Sequence, residues 1–386
     1  MNRITVGIDA VNIRAGGGLT HLSNLLSAFD IENSNVERVI VWTSSGTGKV
    51  LPRYEWLDVR CSNWMESNLF VRMFGIFLLL PHLIRRCQCD VIFSPGGILP
   101  QVNSVPLVTM SQNMLPFEPD QSLLFGRFSL MRLKMRVLTI AQTRSFKRAH
   151  GLIFLTEYAR MNVLRVIGGV DAKTTQIPHG IESRFKVQDR RFRRFDDNNF
   201  AESIKIVYVS MFMAYKHQKE VIDSVCRLRC AGLPIEIEFI GSTYGAYGKE
   251  CNVLVDKLDP DREFLKIKGH IPFDDLHSAF LDADIFLFAS SCENLPNILI
   301  EGMAARLPIV CSDRGPMPEV LDNAGIYFDP SQPESLYSAI RKLVSDVNLR
   351  ERLALRAYEL SANYSWEKCA KQTFSFLENV VRDSSK

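Results

Sequence analysis

One stretch, Asp284 to Val320, constrains this 386-residue chain more than any other: DIFLFASSCENLPNILIEGMAARLPIVCSDRGPMPEV. It opens with an apolar run, Ile285 to Ala289, whose continuity predicts a buried strand. A polar loop follows, Ser290-Ser291-Cys292-Glu293-Asn294. Pro296 then introduces a helical pattern carried by Ile298, Leu299, Ile300, Met303 and Ala304, and a further strand is expected at Pro308–Cys311. Proline near the first helical position is pre-set for helix entry and gives up no needed amide. The order strand–loop–helix–strand sets Glu293 at the carboxyl edge of a parallel strand and Glu301 about a turn into the helix. That helix end offers free N–H groups to a phosphate, and acidic side chains suit sugar hydroxyls. Taken alone, such a pair of glutamates is more often an ordinary pair of solvated charges.

The residues around the pair, GMAARLPIV and SDRGPMPEV, sharpen the reading. Together with the strand, the proline and the two glutamates they resemble the retaining glycosyltransferases of family 4. The resemblance covers nearly the whole chain and is most specific from Ser290 to Glu319. It implies an α/β protein of the GT-B fold, with two Rossmann-like domains whose parallel sheets face an interdomain cleft. Residues 1–185 would form the N-terminal acceptor-binding domain, joined by the C-terminal helix 366–386. Residues 186–203 would be a linker, and 204–365 the nucleotide-sugar-binding domain.

Composition fits a soluble cytoplasmic enzyme. Hydrophobic residues make up 46% of the chain, enough for sizeable cores, and a net charge of +3 does not suggest a nucleic-acid binder. Ile4–Asp9 reads as a strand leading into a glycine loop, not as a secretion signal. The nine cysteines are scattered without metal-ligand spacing and read as reduced thiols.

After the first strand come Gly16-Gly17-Gly18 and a helix with Leu22, Leu25, Leu26 and Phe29 on one face; Thr20 is the expected N-cap. A dinucleotide site would need Gly-x-Gly-x-x-Gly and an acidic residue ending the second strand. Here the glycines are consecutive and Val39–Trp42 is followed by Thr43, which speaks against a nicotinamide enzyme. The resemblance instead sets Gly17 and Gly18 near donor phosphates and acceptor. His21 reads as a polar cleft residue or as a structural helix-face histidine. The run Leu69–Ile84, LFVRMFGIFLLLPHLI, is too short and interrupted for a membrane span. It reads as a buried crossover helix, or as a helix that partly docks on a membrane surface. After the strand Leu107–Met110, many family relatives carry His-Asp where this chain has Gln112-Asn113. The resemblance puts both near the transferred sugar, where they can orient hydroxyls but not carry a proton. From Phe125 to His150 the cations Arg127, Arg132, Lys134, Arg136, Arg144, Lys147 and Arg148 stand with no acidic residue among them. That face is either simply solvated or attracted to an anionic membrane or polyphosphate-linked lipid. His179-Gly180-Ile181 would lie at the domain hinge, and Gln188–Asn199 has the charge and aperiodicity of a linker.

The second half restarts as an α/β unit, with strands expected near Ile204–Val209, Ile235–Ile240 and Phe264–Lys268. Relatives commonly carry an Arg and a Lys in the loop after the first of these, neutralising the donor diphosphate. Lys216 matches the Lys, Met211 stands in the Arg position, and Arg14 is the candidate substitute. Fixed cations are the expected device for stabilising a departing diphosphate. Gly241 and Gly269-His270 match loops that border the nucleotide in relatives. The resemblance implies that Glu293 holds hydroxyls of the transferred sugar and Glu301 the nucleoside ribose. Asn294-Leu295-Pro296-Asn297-Ile298 replaces the family's Gly-Phe-Gly-Leu-Pro. No Asp-x-Asp suits a metal-dependent transferase, so neither metal nor cofactor is expected.

The function implied is retaining transfer of a mannose- or rhamnose-type sugar from a nucleotide-sugar, GDP-linked in preference to UDP- or dTDP-linked. The acceptor would be a glycan or polyprenyl-linked oligosaccharide of a bacterial surface polysaccharide such as O-antigen. The protein would be cytoplasmic, or peripheral on the cytoplasmic face of the inner membrane. The rival readings are a GT-B epimerase or hydrolase, needing a proton-handling residue such as His21, His179, His217 or His270, and a non-catalytic binding subunit.

Overall fold

The computed structural model describes residues 3–126, 129–193 and 203–384. Short, continuously apolar runs become the strands of two all-parallel sheets, as expected where helices cover both faces. The first sheet contains β1 (Ile4–Asp9), β2 (Val36–Thr43), β3 (Leu57–Cys61), β4 (Val91–Ser94), β5 (Leu107–Met110), β6 (Gly151–Phe154) and β7 (Lys173–Gln176). Its order is β3-β2-β1-β4-β5-β6-β7. The second contains β8 (Ile204–Val209), β9 (Ile235–Ile240), β10 (Leu265–Gly269), β11 (Ile285–Phe288), β12 (Ile309–Ser312) and β13 (Ile326–Phe328), in the order β10-β9-β8-β11-β12-β13. Every residue of β4, β5, β6, β11 and β12 is buried. Strand β9 alternates instead: its outward Glu236 and Glu238 pair at 2.6 and 2.8 Å with Lys266 and Lys268 on the edge strand β10.

The chain divides into two compact units. One comprises Met1–Phe117, Leu130–Gly180 and Ser365–Lys386; the other comprises Glu118–Ser129 and Ile181–Tyr364. The chain thus changes unit after Gly180, whose Cβ would lie 2.2 Å from the Trp366 nitrogen. Of the expected linker, residues 194–202 lie outside the described residues. Its described part is held on the second unit: Arg190 donates to the carbonyls of Phe280, Ala283 and Ala305, and Arg193 pairs with Asp284. Segment 118–129, expected within the N-terminal domain, lies with the second unit.

Helix α1 (Gly17–Ser27) buries His21, Leu22, Leu25 and Leu26. Its N-cap is Gly16, at φ 67°, so the expected cap Thr20 sits inside the first turn, its hydroxyl 3.5 Å from the Gly16 carbonyl. Glycine takes a left-handed φ at no steric cost, which lets the helix begin ahead of the threonine. The apolar run forms helix Leu69–Phe74, a wider π-helical turn Gly75–Leu79 and helix Leu80–Arg86. Ile76, Leu80 and Ile84 enter the core, whereas Phe70, Phe74 and Leu78 face outward. The buried-crossover reading therefore holds for one face of this run. A short helix α2 (Pro119–Leu123) precedes α3 (Leu130–Arg148), which carries the remaining expected cations; Arg127 lies outside the described residues. In the second unit, α4 (Gln218–Cys230) and α5 (Asn297–Ala304) follow the site loops. Gly302 lets α5 lie on β11, since a Cβ there would stand 2.4 Å from the Phe286 ring. The last helix, α6 (Trp366–Ser384), packs in the first unit, with Phe374 stacked on Phe29 at 3.6 Å between ring centroids.

Candidate functional site

In the second sheet the strand order reverses between β8 and β11. In open parallel sheets, ligands bind outside the carboxyl ends of the strands at such a reversal. The loop after β8 ends in the 3₁₀ turn Ala214–Lys216, and the loop after β11 carries residues 289–296. Sequence thus delivers its two strongest candidates to one place. Lys216 Nζ donates to Glu293 Oε1, and the side chains are only 11% and 17% exposed. The ammonium also lies 5.4 Å from the Tyr215 ring and 5.5 Å from the Phe288 ring. Tyr208, buried on β8, donates its hydroxyl to the Lys216 carbonyl at 2.5 Å. The backbone N–H of Ser291 donates to the Tyr215 carbonyl at 2.8 Å, so the two loops are joined directly.

Glu301 points into the same unit from α5 and is 7% exposed. Burial, and next the charge of Glu182, push its carboxyl up to about 8 against the opposing pull of Arg184. Among the described residues its Oε2 accepts no hydrogen bond. A buried, unsatisfied carboxyl oxygen is costly unless something completes it, and two hydroxyls of a ligand would do so. Asn294 and Leu295 are buried, Pro296 is the N-cap of α5, and Asn297 is its first residue, with a buried Oδ1 that has no hydrogen-bond partner among the described residues.

Gly241, at φ 149°, fits because a Cβ would stand 2.0 Å from the Ser210 carbonyl oxygen, so the loops after β8 and β9 touch there. Beside it opens a cavity of about 870 Å³ lined by residues that include Ser242, Tyr244, Lys249 and Asn252. His270 is exposed at the end of β10. Met211, 55% exposed, brings no cation to the loop after β8.

In the first unit, Gln112 follows β5 and reaches α1. Its Nε2 lies 3.3 Å from His21 Nδ1, and its Oε1 would be 3.5 Å from a Cβ at Gly18. Gly17 is exposed beside it. Asn113 closes a local turn, its Oδ1 accepting from the Leu115 N–H at 3.1 Å. Arg14 donates to the Met65 carbonyl. His21 is stacked on His179 at 4.5 Å, and both rings adjoin Trp366; burial, then the His179 charge, hold His21 well below its ordinary value. His21 is thus a buried helix-face residue packed on His179 and Trp366.

Two features escaped the sequence reading. Asp9 closes β1 beside the glycine loop; burial pushes its carboxyl up to about 6 although Val11 N–H and Ser94 Oγ donate to it. An acidic residue ending an apolar strand was the available signal. The other is the contact of Ser291 with His217, a histidine expected only as a candidate proton carrier, at 3.0 Å across a sequence separation that no local pattern spans.

Comparison with known proteins now bears on this geometry. Residues 189–360 match the family model described as glycosyl transferases group 1. An O-antigen chain mannosyltransferase B of Escherichia coli is 29% identical over 29% of this chain and 29% of its own length. A sulfoquinovosyl transferase of Arabidopsis thaliana is 25% identical over 73% of this chain and 55% of its own. The chain thus spans less than two thirds of the length of the curated relatives it matches. Among solved structures, sucrose-phosphate synthase from Thermosynechococcus elongatus superposes with TM-score 0.76 at 15% identity, covering 99% of this chain and 100% of that one. An Anabaena protein in complex with UDP-glucose superposes with TM-score 0.71 at 16% identity, covering 97% and 98%. The matches support a transferase. The chain as a whole carries the two parallel sheets of the GT-B architecture.

Proposed function

We propose that the protein is a retaining glycosyltransferase that moves a hexose or deoxyhexose of the mannose or rhamnose type from a nucleotide-sugar to a growing, lipid-linked surface polysaccharide. One observation carries the reading: the Lys216–Glu293 pair stands at the strand reversal of the second sheet while Glu301 keeps a buried carboxyl oxygen unsatisfied. In this reading Glu301 accepts from the ribose hydroxyls, Glu293 from hydroxyls of the transferred sugar, and Lys216 offsets the charge that develops on the leaving diphosphate. Fixed charge and positioning supply the catalysis, with no cofactor. GDP is the base this reading expects for a mannose-type donor, and the UDP-glucose in a structural neighbour makes UDP the competing outcome.

Thermal unfolding against a panel of nucleotides tests this, because a ligand that binds only the folded state raises the midpoint with concentration. One nucleotide should raise the wild type and not Glu301→Ala. If none does at millimolar concentration, the non-catalytic reading that Met211 favours takes its place.

The lipid-linked acceptor is supported by two outward apolar faces in the first unit: Phe70, Phe74 and Leu78, and on α3 Leu130, Leu133, Val137 and Ile140 among its cations. Among the described residues no helix is long and apolar enough to cross a membrane. Aromatic and leucine side chains interleaved with cations suit the headgroup region of an anionic bilayer. Sedimentation with vesicles containing anionic lipid should carry the wild type down, and the double variant Phe70→Ser, Phe74→Ser should weaken binding by about tenfold. Equal binding by both would remove this surface from the account.

A further inference from the structure

Ser291 stands at a junction. Its hydroxyl donates to Gln121 Oε1 at 2.7 Å, with a weaker contact of 3.2 Å to the Tyr215 carbonyl. Because its single proton points to Gln121, the 3.0 Å contact with His217 Nε2 has the imidazole as donor. On the other side of that ring, Glu220 Oε2 lies 3.8 Å from Nδ1. His217, Ser291 and Gln121 therefore form one chain of hydrogen bonds. His217 is the residue after Lys216, and Ser291 stands two before Glu293. The chain runs between the two loops that bear the charged pair.

Two further facts single out His217. Its backbone is left-handed, at φ 54° and ψ 33°, where a residue other than glycine is disfavoured. Such strain persists where the surroundings over-determine it and clusters at functional positions. Gln121 in turn comes from segment 118–129, which packs with the second unit although the chain on either side belongs to the first. The segment meets the same loops elsewhere: Phe125 packs edge-on against Tyr215 at 6.2 Å, and Glu118 bonds the Cys292 side chain, raising the thiol after burial has already done so. Gln121, His217, Ser291 and Arg314 also line a cavity of about 270 Å³.

We propose that His217 is a positioning residue for transfer, holding the Lys216 and Glu293 loops in register through Ser291, with segment 118–129 latching that register through Gln121. This rests on the transferase reading above. In this proposal the ring acts on the orientation of the Lys216–Glu293 pair, and the Glu301 contact with the nucleotide stays as it is.

His217→Gly is the informative variant, because it deletes the ring while suiting the left-handed backbone, so loss of folding does not confuse the result. Gln121→Ala and the conservative His217→Asn accompany it; asparagine tolerates this backbone and can still donate to Ser291. In the full chain, His217→Gly should keep the wild-type unfolding midpoint and bind nucleotide diphosphate within twofold. Its kcat should fall 10- to 100-fold, the scale of a misplacement of about 1 Å. Gln121→Ala should fall in the same direction, and His217→Asn should recover part of the rate. Hydrogen exchange of the amides of residues 290–294 reads the same register without any substrate, and protection should drop about tenfold in His217→Gly. Unchanged protection in that variant overturns the proposal whether or not the wild type transfers sugar. Unchanged kcat with a folded variant also overturns it. A wild type that neither binds nor turns over any nucleotide-sugar contradicts the transferase reading, while the exchange result still decides the register.

Discussion

At the scale of single residues, the site is a set of charges whose surroundings set them apart. Glu301 has its carboxyl raised to about 8 by burial first and Glu182 second, so the folded, ligand-free protein holds a proton there that the unfolded chain gives up near 4.5. The folded state then binds more protons than the unfolded one between those values, and this group's contribution to stability falls as pH rises from about 4.5 to 8. Glu301→Gln should flatten the fall in unfolding midpoint over that window. Ribose hydroxyls favour the ionised form, so nucleotide binding near pH 7 should release a proton from the wild type and not from Glu301→Gln, seen as a buffer-dependent binding enthalpy. Lys216 and Glu293 behave as a unit. Removing one partner of a nearly buried pair costs about 3–5 kcal/mol, because the other charge is stranded. Glu293→Gln should therefore lower both the unfolding midpoint and turnover, whereas Glu301→Gln, which replaces a carboxyl that the fold already holds uncharged below about pH 8, should cost little stability. Glu293, Glu301 and Lys216 were singled out by the resemblance of the motifs that carry them to a known family, and the structure brings Lys216 and Glu293 together. The contact between His217 and Ser291 was not legible, because a hydrogen bond between residues distant in sequence leaves no periodic trace.

At the scale of elements, strands were the most legible. Leu107–Met110, Ile204–Val209 and Ile235–Ile240 coincide with the expected runs, since fully covered parallel strands need unbroken apolar sequence. Ends of helices were less so. Thr20 has the chemistry of a cap, but Gly16 has the backbone freedom, and the helix starts where the φ of 67° is allowed. The outward apolar face of the 69–86 run was likewise illegible, because an all-apolar helix carries no polar stripe to say which side is buried. Glycine contacts give a sharp test here. Gly302→Ala places a Cβ 2.4 Å from the Phe286 ring, and should cost about 1–3 kcal/mol by overpacking α5 against β11, measured by denaturant unfolding. Gly46→Ala meets nothing within 4 Å and serves as the matched control that should stay near wild type.

At the scale of the whole molecule, a chain of two Rossmann-like units was readable from the restart of strand–helix alternation at Ile204. Which unit each segment joins was not. Residues 118–129 carry no composition that assigns them to the second unit; contacts such as Gln121 with Ser291 decide it. The central claim is that the strand reversal of the second sheet holds a working sugar-donor site. The measurement that tests it most directly is release of nucleotide diphosphate from GDP-, UDP- and dTDP-linked hexoses by the full chain, with wild type beside Lys216→Ala and Glu293→Gln. Wild type is expected to release diphosphate from one base class, and each variant to lose at least about 100-fold, the scale of removing one group aimed at developing charge. Release by the variants at the wild-type rate, or no release from any donor with or without glycan acceptor, would contradict it.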